Sequence, residues 1–467
     1  MLRKKIMNRE FSEDTIVAVA TPIGLGALSI VRLSGERAFD IVNQRFRSNT
    51  VFIKAKPWRA IYGKIYDDDQ LIDEVIVTKY KSPYSYTKEN IVEISCHGGS
   101  YLSQKIVELF LRTGARLAEP GEFTLRAFLN GRIDLSQAEA VADLIQSQTE
   151  FGLRTALNQL DGKLSHTIND IRTQLVDSCS LLELELDFSD EDIEFVDRKQ
   201  FLQTLVNIQQ QLSALIDTYK IGRLAREGVK LVIAGKPNVG KSSLLNVMAR
   251  EDRAIVTDIP GTTRDPLEVL LDINGVLFRI YDTAGITASS NKIEQEGVKR
   301  SLSHLKTADI VVHLFDGAST LENEDIHLMR QINEAGVRKI FRVVNKIDIG
   351  LKINLSELFS NNIDMLQISA LKRIGIKKFE QAISSAIQNE KAMTTGDVII
   401  SNVRHLQLLE KAQDSLAKSC REIEKDSSAE FVALYLREAL DSLGHIVGAV
   451  TSEDILNNIF SRFCIGK

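Results

Sequence analysis

Apolar residues along this chain follow three successive rhythms. Up to about residue 130 the rhythm is short and strand-like. Thr15-Ile16-Val17-Ala18-Val19-Ala20-Thr21 and Ala27-Leu28-Ser29-Ile30-Val31-Arg32-Leu33 flank Pro22-Ile23-Gly24-Leu25-Gly26, a turn signal between two β-rich runs. Further strand-like runs cover 60–66, 74–80 and 91–96, and Leu102, Ile106, Leu109 and Phe110 are spaced as on a helix. From about residue 136 the period is helical. Leu175, Cys179, Leu182 and Leu186 form one stripe, and Leu205, Ile208, Leu212 and Leu215 another. A third stripe, Val432, Tyr435, Leu436, Ala439 and Leu443, appears after residue 400, and Thr451-x-x-Asp454 resembles a capping box opening the last helix. Between the helical stretches, short apolar runs each end in a polar motif.

These rhythms predict a multi-domain α+β and α/β chain: a mixed α+β domain over 1–130, a P-loop α/β domain over 226–390, and an all-helical domain in two parts, 131–225 and 391–467, into which the α/β block is inserted. Two separate helical bundles would produce the same pattern. A length of 467 residues fits about three domains. No apolar run approaches the ~20 residues that span a bilayer, and the basic start, Met1 to Arg9, is not followed by a secretory apolar stretch. Four scattered cysteines (Cys96, Cys179, Cys420, Cys464) without a C-x-x-C pair suit a reducing cytoplasm. The net charge of −5 does not describe an autonomous nucleic-acid binder, so any such contact needs a local basic patch or a partner that supplies the charge. Glu183 to Asp197 holds eight carboxylates, expected to be a solvated helix end rather than a metal site. Gly24-x-Gly26 and His97-Gly98-Gly99 are expected to be turns. Cys96 and His97, as neighbours on a strand, point to opposite faces and make no dyad.

The densest chemistry lies in the α/β block. Lys230-Leu231-Val232-Ile233-Ala234 leads into Gly235-Lys236-Pro237-Asn238-Val239-Gly240-Lys241-Ser242-Ser243, after which Leu244, Leu245, Val247 and Met248 start a helical pattern. A strand, a G-x-x-x-x-G-K-S loop and a helix are the context of a phosphate-binding loop: backbone N–H groups cradle phosphate, Lys241 adds charge near the β- and γ-phosphates, and Ser242 can ligate Mg²⁺. The next run, 278–281, precedes Asp282, Thr283, Ala284 and Gly285. Asp282 can hold the magnesium shell, and Gly285 lets a backbone N–H approach the γ-phosphate. The run 310–315 precedes Asp316-Gly317. The run 340–344 precedes Asn345, Lys346, Ile347 and Asp348, the base-reading set, in which the Asp348 carboxylate accepts from guanine N1–H and N2–H₂. Ser369, Ala370 and Leu371 fit the loop that covers the base. Ligand groups at the carboxyl ends of parallel strands are what an open α/β sheet predicts. Thr257, Asp258, Ile259, Pro260, Gly261, Thr262 and Thr263 form a switch segment, ordered while a threonine shares Mg²⁺ with γ-phosphate. Ile286 follows Gly285 where Ras-like enzymes place the glutamine that orients water, so another group has to position it.

These motifs resemble Era-like GTPases with a hydrophobic residue in place of the catalytic glutamine. Pro120-Gly121-Glu122-Phe123-Thr124-Leu125-Arg126-Ala127-Phe128-Leu129-Asn130, the Thr15–Gly35 run and the terminal Phe463-Cys464-Ile465-Gly466-Lys467 narrow the resemblance to the MnmE (TrmE) family of tRNA-modification GTPases, over essentially the whole chain. The resemblance implies a potassium-dependent GTPase that acts with the flavoprotein MnmG (GidA) to add an aminomethyl or carboxymethylaminomethyl group at carbon 5 of the wobble uridine of certain tRNAs. The one-carbon source is a tetrahydrofolate derivative in the 5-formyl or methylene form. It implies a homodimer through the N-terminal domains and GTPase domains that face one another. By matching position, Asn238, Thr257, Ile259 and Thr262 surround K⁺, Ser242 and Thr263 ligate Mg²⁺, and Glu294 is the catalytic glutamate that orients water, beside Lys241. The folate contacts are Arg32, Glu93, Arg132 and Lys467. Arg132 stands where family members carry lysine, which keeps the charge but changes the geometry.

Two other functions compete. An Era-like switch could bind RNA or ribosomes and use GTP as a timer, but the last helices are mixed in charge and show no basic module. A membrane-linked GTPase would need a span or a lipidation site, and Gly466 and Lys467 after Cys464 suit prenylation poorly.

Overall fold

In the computed structural model the described residues are 14–187, 197–251, 268–282, 304–337, 339–354, 365–391, 398–461 and 463–466. They divide into two compact units, one of residues 1–142, 159–210 and 408–467, the other of 143–158 and 211–407.

The first unit is built on a seven-stranded sheet. Its strands are β1 (Ile16–Val19), β2 (Leu28–Ser34), β3 (Phe46–Arg47), β4 (Ala60–Asp67), β5 (Gln70–Tyr80), β6 (Ile91–His97) and β7 (Arg116–Leu117), in the order β3-β4-β5-β6-β2-β1-β7. All neighbours are antiparallel except β1 and β7. Alternation decides which face is buried: Val75 and Val77 of β5 point into the core while Glu74 and Ile76 face outward. Helices Ala38–Arg45 and Ser100–Arg112 cover the inner face through Ile41, Val42, Ile106, Leu109 and Phe110. Glu122–Leu129, from the P-G-E-F-T stretch, packs with the C-terminal residues Phe460 and Phe463 around Phe128. Cys96 is buried and burial pushes its thiol up to about 11, whereas His97 is exposed on the other face and meets Asp73 at 2.7 Å. The helix Lys163–Asp187 buries Leu175, Cys179 and Leu182, and it packs along Ala429–Val447, which buries Val432, Leu436, Ala439 and Leu443. Segments from before and after the α/β block thus lie side by side. Of the carboxylate run, only Glu183, on this helix, and Asp197 have described side chains, and no cluster among the described residues could hold a metal. The capping box expected from Thr451 does not form. The N-cap is Ser452, which puts Ile455 and not Asp454 at the third helical position of Glu453–Phe460.

The second unit carries a six-stranded sheet of β8 (Val229–Ala234), β9 (Glu268–Ile273), β10 (Val276–Asp282), β11 (Ile310–Asp316), β12 (Lys339–Asn345) and β13 (Met365–Gln367). Their order is β13-β12-β11-β8-β10-β9. β8 pairs in parallel with both β10 and β11, and only the edge strand β9 runs antiparallel, joined to β10 by an Asn274-Gly275 turn. The nearly unbroken apolar runs of β8 and β11 follow from burial on both faces. β8 lies between β10 and β11, so the chain builds β9 and β10 on one side of it and continues with β11 on the other; the strand order reverses at its carboxyl end, where open α/β sheets place their ligands. No helix among the described residues is long and apolar enough to cross a membrane.

Candidate functional site

Four polar motifs converge at this switch point. The loop after β8 curls from Gly235 to Lys241, where the helix Lys241–Glu251 begins. Asn238 takes φ 63° and Gly240 φ 99°. A Cβ on Gly240 would lie 2.3 Å from Asn345 Nδ2, so glycine is required by both backbone and space. Lys241 folds back over the loop, its Nζ donating to Gly235 O at 2.8 Å and to Lys236 O at 2.9 Å. The ammonium is thereby aimed across the mouth of the loop, and Ser242 and Ser243 sit on the first helical turn, both exposed.

Asn345, at the end of β12, ties the site together. Its side chain is 2 % exposed, Nδ2 donates to Val239 O at 2.8 Å, and Oδ1 accepts from Ala370 N at 2.9 Å. The phosphate loop and the loop after β13 are thus braced through one amide. The sequence pattern puts Asn345 in the base-reading set, and the structure shows its amide bonded to both loops. Ser369 Oγ donates to Asp348 Oδ1 at 2.6 Å and orients the half-buried carboxylate. Ala370 is buried and Leu371 exposed beside it. Lys346, at φ 64°, reaches Asp316 Oδ2 at 2.6 Å, while Asp316 Oδ1 accepts from Ala318 N.

One partner set goes beyond the motifs. Lys236, in the phosphate loop, pairs with the buried Asp325 at 2.7 Å and with Glu322 at 3.0 Å. These two acids form the capping box of the helix Asn323–Glu334. Burial alone would lower the Lys236 pKa, but the two carboxylates outweigh it and raise it. A Glu-x-x-Asp opening a helical pattern is the signal in the sequence, though nothing local ties it to Lys236.

Several expected site residues lie outside the described residues: Thr257, Asp258, Ile259, Pro260, Gly261, Thr262, Thr263, Thr283, Ala284, Gly285, Glu294 and Lys467. Asp282 is described at the end of β10.

A second charged cluster lies in the first unit. Arg32 of β2 meets Glu93 of β6 at 2.8 Å, and Tyr80 donates to the other Glu93 oxygen at 3.1 Å. Burial, followed by that carboxylate, raises the Tyr80 pKa. The guanidinium of Arg132 stands 4.7 Å from the Tyr86 ring centroid and that of Arg32 5.7 Å, so two cations share one ring. The C-terminal tail reaches this cluster. Gly466 O accepts from Arg32 at 3.5 Å, and a Cβ on Gly466 would lie 2.1 Å from Val19 O. Cys464 is exposed. Of the four expected folate contacts, Arg32 and Arg132 thus meet at Tyr86, and Glu93 joins them through Arg32.

Comparison with known proteins covers both units. A family model described as the GTP-binding protein TrmE N-terminus matches residues 15–132, and one described as the MnmE helical domain matches 135–464. The tRNA modification GTPase MnmE of Flavobacterium johnsoniae is 43% identical over 465 residues, covering 98% of this chain and 100% of its own. Those of Cytophaga hutchinsonii and Aquifex aeolicus are each 43% identical, covering 97% of this chain and 98% and 100% of their own.

Proposed function

The chain belongs to the MnmE family of tRNA-modification GTPases, and on that premise we propose that it binds and hydrolyses GTP in the service of tRNA modification. The observation that carries the nucleotide half is the Asn345 brace, which holds a phosphate loop and a base loop at one sheet end. Asp348, oriented by Ser369, accepts from the two donors on the guanine edge, and adenine offers no such pair. Asn238 to Ser243 contact the phosphates. Ser242 with Thr263 ligates Mg²⁺, within whose shell Asp282 lies, and Asn238 with Thr257, Ile259 and Thr262 surrounds K⁺. A cation there neutralises charge developing between the β- and γ-phosphates, a role for which an arginine finger is worth roughly 10³–10⁵ in rate. Glu294 orients water in place of the glutamine that Ile286 displaces.

The finer function we propose is addition of an aminomethyl or carboxymethylaminomethyl group at carbon 5 of the wobble uridine, with the flavoprotein MnmG as partner, in the cytoplasm and as a homodimer through the N-terminal domains. A tetrahydrofolate derivative supplies the one-carbon unit when bound. Support for such a ligand comes from the aromatic ring of Tyr86 and from Arg132, which makes no ion pair to any described residue and is available to a carboxylate. Arg32, Glu93 and Lys467 complete the set.

Nucleoside analysis of tRNA from cells lacking the protein tests the whole reading; unaltered wobble uridines would defeat it and leave the GTPase standing. Hydrolysis should run faster in K⁺ than in Na⁺ at equal ionic strength, and Asp348→Asn should shift binding from guanosine towards xanthosine nucleotides. Glu294→Ala should suppress hydrolysis with little loss of affinity; persistent hydrolysis would remove its role.

A further inference from the structure

We propose that one corner of the N-terminal sheet is a docking surface for an unpaired stretch of RNA, in this protein a loop of its tRNA substrate; the inference rests on the tRNA-modification reading above. With 63 acidic against 58 basic side chains, an RNA-facing surface on this chain has to be local. Residues 41–66 supply one: they contain six arginines and lysines and no aspartate or glutamate. Arg45, Arg47 and Lys64 are engaged by Asp67, Asp68, Asp69 and Glu74. Lys54, Lys56 and Arg59 are different. They are accessible and form no ion pair with any described residue.

The segment that carries them is pinned in place. Trp58 N donates to Lys79 O at 2.9 Å, and the indole stands edge-on to Tyr80 at 5.1 Å. This sets Trp58 against the end of β5, where Lys81 is also exposed and forms no ion pair with any described residue. Trp58 is 57% exposed and takes φ 67°, a conformation uncommon for a bulky residue, held by these two contacts. A rigid, outward indole among four uncommitted cations is a stacking platform: a base lies on the ring while adjacent phosphates meet Lys54, Lys56, Arg59 and Lys81. A second copy of the chain would bring the same positive charge to the same corner, which opposes a symmetric contact there.

Trp58 is the single tryptophan of the chain, so its fluorescence reports on this corner alone. Titrating the full-length protein with unmodified tRNA transcript should quench that fluorescence saturably. Anisotropy of labelled tRNA should show Trp58→Ala binding about 5- to 150-fold more weakly, with Trp58→Phe recovering much of the loss. Four phosphate contacts predict about a 50-fold loss of affinity between roughly 50 and 200 mM salt, and Lys54→Gln/Lys56→Gln/Arg59→Gln should flatten that slope. Unchanged unfolding midpoints in these variants would exclude loss of fold. tRNA bound without quenching, and with wild-type affinity in Trp58→Ala, overturns the proposal. A variant that changes the oligomeric state and keeps its tRNA affinity overturns it as well, and assigns the corner to self-association. Neither result touches the tRNA reading, which falls only if wobble uridines are unaltered in cells lacking the protein.

Discussion

Replacing Asn345 with alanine tests whether the nucleotide site is assembled before any nucleotide arrives. The side chain is buried, and its amide makes two buried hydrogen bonds, to Val239 O at 2.8 Å and from Ala370 N at 2.9 Å. Truncation leaves a carbonyl in the phosphate loop and an N–H in the base loop without these partners. Each such group costs about 1–3 kcal/mol when left buried and unsatisfied. The expected loss is therefore about 2–6 kcal/mol in the nucleotide-free protein, and for a unit of this size about 2–4 °C of melting temperature per kcal/mol. Asn345→Asp is a sharper probe. It keeps the acceptor for Ala370 N and sets a carboxylate oxygen against Val239 O, so it should destabilise no less than alanine does. The measurement is thermal unfolding without nucleotide, followed by GDP titration. A nucleotide-free midpoint unchanged within about a degree would refute the brace, even if nucleotide affinity fell, because a contact to the base would explain that loss alone.

Other consequences follow from buried charge. His313 on β11 is fully buried against Phe315, and burial, followed by the Arg342 charge, pushes its pKa down to about 3. The unfolded chain takes up that proton near 6.5, so stability is intact above this value and falls as the pH drops towards 3. The loss is about 2 kcal/mol by roughly pH 5, and His313→Leu should remove this component from urea unfolding compared between neutral and acid pH. In the first unit, burial acts to raise the Glu122 pKa, but the hydrogen bond from Arg116, the Glu119 N–H and Arg126 outweigh it and hold it below the ordinary value. That stability is present above the unfolded carboxylate range and lost as the pH falls below it. Glu122→Ala should cost about 3 kcal/mol in urea unfolding, the low end for a broken buried pair, because Arg126 keeps Asp14 and Glu89. Lys236→Met should weaken GTP binding by about tenfold, or ~1.4 kcal/mol, since it leaves Asp325 and Glu322 uncompensated beside the phosphate loop. Adding Asp325→Asn should restore much of that affinity in calorimetric titration, and a double variant no better than the single one would remove the electrostatic explanation.

The parts of this molecule legible from sequence are those whose cause is local. Val229–Ala234 reads as a buried central strand because it is covered on both faces, and the motif at its end reads as a phosphate loop because glycines and lysine stand at fixed spacing. The misplaced cap at Thr451 shows the limit of local pattern. Two adjacent hydroxyl residues are candidates for one N-cap, and the helix starts one residue later than the pattern suggests, after Ser452. The Asn345 brace spans 106 residues and the contact of Arg32 with Gly466 spans 434, so neither leaves a mark on periodicity. For the charged cluster, only family resemblance could gather Arg32, Glu93 and Arg132. The same distance dependence bears on how the nucleotide site works. One amide holds both Val239 O and Ala370 N, so a base that displaces the Ala370 loop also strains the loop that holds the phosphates. On the guanine reading proposed above, the Asn345 amide would couple the loop beside Asp348 to the phosphate loop, since its two ends bond Val239 O and Ala370 N.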